Sequence, residues 1–147
     1  MRILYLCTGN SARSLMAEAF TKEMLPKEAP IEVFSAGTHP KGIHRETVAV
    51  MKEAGVDMAS YRSKSTAEVP WDSIDLVVTL CDDARRNCPA PPSGAHRIHW
   101  GLKDPDAATG TPEQIHESFR AVRDEVRTCV KRLMFELATT RTLRNGA

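Results

Sequence analysis

The sequence predicts an α/β fold, a three-layer sandwich in which a central four-stranded parallel sheet carries helices on both faces. Short continuous apolar runs, typical of buried strands, alternate with segments whose apolar residues recur every three or four positions. Strands that alternate with helices form parallel sheets through right-handed crossovers. A chain of 147 residues is long enough for one domain with a sizeable core.

The first strand is predicted at residues 2–7, where an apolar run stops abruptly at Thr8 and Gly9. A helix is predicted next, at residues 13–25, because apolar side chains recur at helical spacing until Pro26 ends the pattern. The same two patterns predict the elements that follow: strands at 31–35, 74–80 and 97–100, and a helix at 45–54 that Gly55 caps.

The last predicted element is a long helix from Ile115 to Leu137, whose apolar residues step by three or four over many turns. Cys129 falls on this apolar stripe and is expected in the core. The tail at 138–147 lacks a periodic apolar face, so residues 1–137 are predicted to form a single catalytic domain and the tail is expected to fray.

The composition is that of a soluble globular protein, with 41% hydrophobic residues, 27% charged residues and a net charge of +1. That balance predicts no bulk attraction to nucleic acid or to a membrane. The first apolar run is too short for a signal peptide or a membrane span, so a cytoplasmic location is expected. Four cysteines in a cytoplasmic chain are more typical of catalysis or redox cycling than of structural disulfides.

The strongest functional signal is the loop between the first strand and the first helix. Backbone N–H groups converge on anions at such a helix N-terminus, and the planar guanidinium of Arg13 suits two oxygens of a tetrahedral oxyanion. The same donors and the helix dipole favour a thiolate at Cys7, which is the predicted nucleophile. The predicted oxyanion-binding loop comprises Thr8, Gly9, Asn10, Ser11, Ala12, Arg13 and Ser14.

Cys81 is predicted to lie beside Cys7, because both residues end strands of the parallel sheet and such ends share one rim. Cys81 and Cys88 flank a polar segment. If that segment is helical, their Cα atoms are about 10.5 Å apart. A disulfide tolerates at most about 7 Å, so a bridge between them would require the segment to unwind. Such a bridge would be a redox switch rather than a structural link.

The sequence resembles the low-molecular-weight protein tyrosine phosphatase superfamily, and within it the thioredoxin-coupled arsenate reductases. The match covers about residues 2–137. Its motifs are Cys-Thr-Gly-Asn-Ser-Ala-Arg-Ser at 7–14, Ser-Ala-Gly at 35–37, Asp-Leu-Val-Val-Thr-Leu-Cys at 75–81, Cys-Pro at 88–89, His-Trp-Gly at 99–101, Asp-Pro at 104–105 and Arg-Ala-Val-Arg-Asp-Glu at 120–125.

The resemblance implies reduction of arsenate to arsenite, hence arsenic detoxification, through a relay of Cys7, Cys81 and Cys88. Asp104 would protonate the departing oxygen, helped by the rigidity of Pro105. The final Cys81–Cys88 disulfide would be reduced by thioredoxin, or in some relatives by glutaredoxin or mycothiol systems. No tightly bound cofactor is expected, and a monomer is expected. Ala12 replaces a cysteine that many relatives carry in this loop, which increases the dependence on Cys81.

Alternatives remain open at this stage. A phosphatase would use the same loop, arginine and aspartate without a resolving cysteine, although no aromatic residue follows Asp104-Pro105 to hold a phenyl ring. A non-enzymatic arsenite or oxyanion sensor would use the thiols alone. Trp100 is expected to pack near the site.

Two metal sites are also considered. Zinc bound by a two-cysteine, two-histidine set would need unusual spacings. The potassium-binding positions of some relatives are matched in part, but the sequence assigns no fourth, acidic ligand, so no metal is expected. The zinc set comprises Cys81, Cys88, His96 and His99, and the potassium set comprises Asn10, Glu18 and Ser35.

Overall fold

The four strands form one parallel sheet in the order β2-β1-β3-β4 in a computed structural model that describes residues 1–88 and 94–145. This confirms the predicted fold class. Strand β1 is central, with Cys7 at its end opposite Gly37 of β2. The strands are β1 (Arg2–Cys7), β2 (Glu32–Gly37), β3 (Leu76–Thr79) and β4 (His96–His99).

In residues 1–88 and 94–145, four α-helices accompany the sheet, and the three long ones begin within a few residues of their predicted starts. The short helix α3 occupies the polar segment between Cys81 and Cys88, so this segment is helical. Within the described residues, no helix combines the length and apolar character that a membrane span requires. The helices are α1 (Arg13–Met24), α2 (Arg45–Glu53), α3 (Asp82–Asn87) and α4 (Pro112–Asn145).

Alternation along β1 divides the core between the two faces of the sheet. Ile3 and Tyr5 point to one face, where they pack with apolar residues of α1, α2 and α4. Leu4 and Leu6 point to the other face, where they pack with Ala84 of α3 and with residues 69–77. Each side chain of β1 from position 3 to position 6 is fully buried. The central strand is thus held rigidly, and its end is a fixed point for the site.

Two predictions about α4 need correction. The helix continues through Asn145, beyond its predicted end at Leu137. No Gly or Pro interrupts residues 138–145, so backbone hydrogen bonding continues beyond the apolar stripe. Cys129 is half-buried at the edge of that stripe, whereas its neighbours Val126 and Val130 are fully buried in the core. Pro89 and residues 146–147 lie outside the described residues.

Candidate active site

The loop from Cys7 to Ser14 is shaped by Asn10, which has a φ of 43° and is fully buried. Few residues other than Gly tolerate this left-handed backbone, and Asn is one of them. Its side-chain amide donates to Ser14 Oγ at 2.8 Å and to Ser35 Oγ at 3.0 Å. Its Oδ1 accepts from the backbone N–H of Lys64 at 2.8 Å. The loop is therefore held in its strained form by a complete set of hydrogen bonds.

The sulfur of Cys7 lies among hydrogen-bond donors, and the residue is only 3% exposed. The backbone N–H of Asn10 donates to Cys7 Sγ at 3.2 Å, and Ser14 Oγ lies 2.8 Å away. Because Ser14 Oγ accepts from the Asn10 amide, its own hydrogen is available to the sulfur. The nucleophile predicted from the sequence thus lies within reach of two hydrogen-bond donors.

Arg13 is fixed by two main-chain carbonyl groups. Its Nη1 donates to the carbonyl of Leu102 at 3.0 Å and to that of Leu80 at 3.3 Å. Its Nη2 lies 3.7 Å from Oδ1 of Asp104, and its side chain is 10% exposed. A guanidinium that is oriented in advance loses little side-chain entropy when it binds an oxyanion. The fold thus brings Asp104 close to Arg13, although the two residues are far apart in the sequence.

Cys81 is at the same rim, as predicted. It caps the N-terminus of α3, where the backbone N–H of Ala84 donates to its sulfur at 3.3 Å. Thr8 Oγ1 lies 3.3 Å from Cys81 Sγ and also bonds Oδ2 of Asp83 at 3.0 Å, so the oxyanion loop contacts the second thiol directly.

Cys88 lies at the other end of α3 and is half-buried. Burial raises the pKa of its thiol, and the nearby guanidinium of Arg97 partly offsets that effect. All four cysteines are within the described residues and none is in a disulfide. Cys81 and Cys88 thus lie at opposite ends of the short helix α3.

A cleft of about 650 Å³ connects Cys7, Arg13, Cys81 and Asp104. It opens at the carboxyl ends of β1 and β3, where the fold places ligands. Lys41 and Asp106 line it as well, and no local sequence pattern marks either residue, because each acts through a contact with a distant segment. The lining residues are Cys7, Thr8, Gly9, Ser11, Ala12, Arg13, His39, Lys41, Cys81, Asp82, Asp83, Leu102, Asp104 and Asp106.

The partly matched potassium set is brought together but is already charge-balanced. Ser35 Oγ donates to Glu18 Oε1 at 2.5 Å, and Asn10 reaches Ser35. Two ammonium groups neutralise Glu18, from Lys22 at 2.6 Å and from Lys64 at 3.6 Å. The carboxylate therefore has cationic partners within the protein.

The zinc alternative loses a ligand, because both ring nitrogens of His99 have protein partners: Thr79 Oγ1 at 2.8 Å and Asp82 Oδ1 at 3.2 Å. No cluster of three potential metal ligands occurs in residues 1–88 and 94–145. Trp100 is half-buried and stacks on Tyr5 with ring centroids 5.7 Å apart, close to the site but outside the cleft lining.

A buried cysteine and arginine in a strand–loop–helix segment, with a carboxyl group opposite, define the class of cysteine-based oxyanion-binding proteins. The chain belongs to the low molecular weight phosphotyrosine protein phosphatase family, whose model matches residues 2–143.

Individual relatives narrow the comparison. The arsenate reductase of Halalkalibacterium halodurans is 44% identical over 129 residues, which cover 88% of this chain and 91% of the relative. A solved arsenate reductase in the phosphate binding state has a TM-score of 0.74 and 30% identity, covering 92% of this chain and 97% of the other. The YwlE arginine phosphatase from Geobacillus stearothermophilus has a TM-score of 0.75 and 28% identity, covering 97% and 96%.

Proposed function

We propose that this protein is an arsenate reductase that transfers two electrons from a pair of thiols to arsenate. The observation that carries the proposal is that two thiols line one cleft while a third lies at the far end of an adjoining short helix. Cys7 lies in the oxyanion loop, Thr8 of that loop contacts Cys81, and Cys88 ends the helix that Cys81 begins. The 44% identity to a curated arsenate reductase supports the same substrate.

The proposed reaction begins when the thiolate of Cys7 attacks arsenate, while Asp104 donates the proton with which one arsenate oxygen leaves as water. Cys81 then attacks the sulfur of Cys7 as a thiolate. The sulfur–arsenic bond breaks, arsenic keeps its electron pair and leaves as arsenite, and a Cys7–Cys81 disulfide forms. Cys88 attacks Cys81 in turn, which releases the Cys7 thiolate and leaves a Cys81–Cys88 disulfide.

The last step requires helix α3 to unwind. Its six residues separate the Cα atoms of the two cysteines by about 10.5 Å along a helix, and a disulfide needs about 7 Å or less. Unwinding exposes little apolar surface, since Ala84 is the one buried residue among the helix side chains that the structure describes. The loss of one short helix is therefore cheap, and it would present the disulfide to a reductant such as thioredoxin.

A coupled assay tests the proposal. Purified protein with arsenate, thioredoxin, thioredoxin reductase and NADPH should consume NADPH over many turnovers. Cys7→Ser should abolish consumption and Cys88→Ser should stop after one turnover, whereas the matched control Cys129→Ser should resemble the parent. Peptide mapping after exposure to arsenate should find the bridge between Cys81 and Cys88. Sustained turnover by Cys88→Ser would contradict the relay, and no turnover by the parent with thioredoxin, glutaredoxin or mycothiol would favour a sensor.

Phosphatase activity is the second candidate, because Arg13, Asp104 and the loop are the parts that hydrolysis of a phosphate ester requires, and the family model is that of a phosphatase. Within the described part of the chain, the cleft lining contains no Phe, Tyr or Trp, which disfavours aryl substrates. Hydrolysis of a small phosphate ester that withstands the Cys81→Ser and Cys88→Ser changes, with no arsenate reduction by the parent, would decide for the phosphatase.

A further inference from the structure

Asp106 holds the loop of Asp104 against the rest of the site. Its carboxylate contacts the ammonium of Lys41, and its other oxygen lies 3.2 Å from Nε2 of His44. Its backbone N–H donates to Oδ1 of Asp104 at 3.0 Å. One residue thus joins the acidic loop to the segment between β2 and α2 through its side chain, and to the predicted acid through its main chain.

The proton on His44 is assigned by the helix that it caps. The backbone N–H of Glu46 donates to Nδ1 of His44 at 3.0 Å, so Nδ1 is the acceptor. In the neutral tautomer that this bond requires, the hydrogen is on Nε2, where it is available to Asp106. The ring packs on Phe119 of α4 with centroids 4.6 Å apart. His44 is therefore a donor in a fixed place, on a rigid helix end.

Lys41 ties the same carboxylate to the oxyanion loop. Its backbone N–H donates to the carbonyl of Gly9 at 3.0 Å. A Cβ atom at position 9 would lie 2.8 Å from Cε of Lys41, so the lysine stem lies directly on the glycine. The hydrogen bond with Asp106 raises the pKa of Lys41, and the same bond lowers the pKa of Asp106. Both groups are thus charged near neutral pH.

Asp104 needs such support, because its side chain is 48% exposed and lies on a loop. Arg13 is 3.7 Å from it, beyond ordinary hydrogen-bond distance. A misplacement of a reacting group by about 1 Å can cost about 100-fold in rate. An exposed carboxyl group therefore gains from a loop that is fixed at the neighbouring residues.

We propose that Asp106, gripped by Lys41 and His44, is a positioning residue that holds Asp104 over the oxyanion loop. The inference rests on the proposed function, in which Asp104 is the proton donor. The opposite charges of Asp106 and Lys41 neutralise each other. The ion pair therefore aligns the loop without strongly attracting or repelling the substrate. The effect of Asp106 on the reaction then passes through Asp104.

A double-mutant cycle tests this path. Asp106→Asn should lower kcat for arsenate reduction about 10- to 100-fold. The Kd for phosphate, measured by calorimetry as a probe of the oxyanion loop, should not rise. In the Asp104→Asn background, the same Asp106→Asn change should have almost no further effect. Its effect on kcat should stay within a factor of about two, which is the usual scatter in such cycles. Circular dichroism and thermal melting accompany each variant to show that it is folded.

Several outcomes would overturn the inference: an unchanged kcat for Asp106→Asn, an equal loss in both backgrounds, or an Asp104→Asn variant as active as the parent.

Lys41→Met and Lys41→Arg test the contact between Lys41 and Asp106 by changing the lysine instead of the carboxylate. The methionine should reproduce the loss in kcat and the arginine should restore most of it, and full activity of the methionine variant would also refute the idea. If the parent does not reduce arsenate, the double-mutant cycle is measured with the hydrolysis of a small phosphate ester instead. Failure of the proposed function can then be distinguished from failure of the positioning role of Asp106.

Discussion

Replacing Gly37 with Ala should damage the oxyanion loop although position 37 lies outside it. A Cβ atom there would lie 2.6 Å from the carbonyl oxygen of Thr8 and 2.9 Å from the backbone nitrogen of Asn10. Ordinary contacts begin near 3.4 Å, so a shift of about 0.8 Å in the loop backbone is required. Overpacking of this kind lowers the free energy of unfolding by about 1–3 kcal/mol. Ala offsets about 0.4–1 kcal/mol of that loss, because it reduces the conformational entropy of the unfolded chain.

We expect a net loss of about 1–2 kcal/mol in the free energy of unfolding, measured with urea. The larger effect is on function, because a displacement near 1 Å costs about 100-fold in rate. Phosphate titration and the coupled arsenate assay measure it. Gly101→Ala is the control, since its new Cβ would meet only His99 Nε2, at 3.8 Å. A Gly37→Ala protein with the parent's stability, Kd and kcat would refute the steric argument, as would equal damage from Gly101→Ala.

Three further predictions concern single side chains. The pKa of Glu53 is lowered from 4.5 to about 2, and the main cause is its hydrogen bond with Arg120. The stabilising effect of Glu53 is therefore present above pH 4.5 and is lost as the pH falls toward 2. The difference in Tm between the parent and Glu53→Gln should shrink over that range, and a difference that stays constant would count against the contact. Phe119→Ala should lower the free energy of unfolding in urea by about 3–5 kcal/mol, because Phe119 is fully buried. The control Phe135→Ala should lower it little, because that side chain is 71% exposed. Similar losses in the two variants would contradict the assigned core. Ser14→Ala should lower kcat for arsenate reduction about tenfold, since Ser14 Oγ lies 2.8 Å from Cys7 Sγ and the loss of a buried hydrogen bond costs about 1–3 kcal/mol. An unchanged kcat would show that the hydroxyl does not support the reacting sulfur.

The strands and long helices were predictable because each is encoded by neighbouring residues. The run at 3–7 is buried on both faces and therefore continuously apolar, and the spacing in the last helix marks its inner face. The end of α4 at Asn145 was missed, since apolar periodicity reports packing and not backbone hydrogen bonding. Cys129 was misjudged for a related reason: a position at the edge of a stripe has the spacing of the core but only part of its burial.

The candidate site divides in the same way. Cys7, Asn10 and Arg13 were predictable because a strand, a turn and a helix N-terminus, adjacent in sequence, form an anion-binding loop by themselves. The position of Cys81 followed from the rule that parallel strands end at one rim, and its contact with Thr8 agrees with that rule. Local chemistry and topology together were enough to predict that Cys7, its loop and Cys81 lie side by side.

Tertiary structure alone decided which distant groups complete the site. The grip of Lys41 and His44 on Asp106 joins segments far apart in the sequence, and neither segment has a local pattern that marks it. The close approach of Gly37 to the oxyanion loop likewise depends on the register of β1 and β2. Sequence patterns determine what a segment can do through its own hydrogen bonds and periodicity, whereas contacts between segments depend on how the packed layers align them.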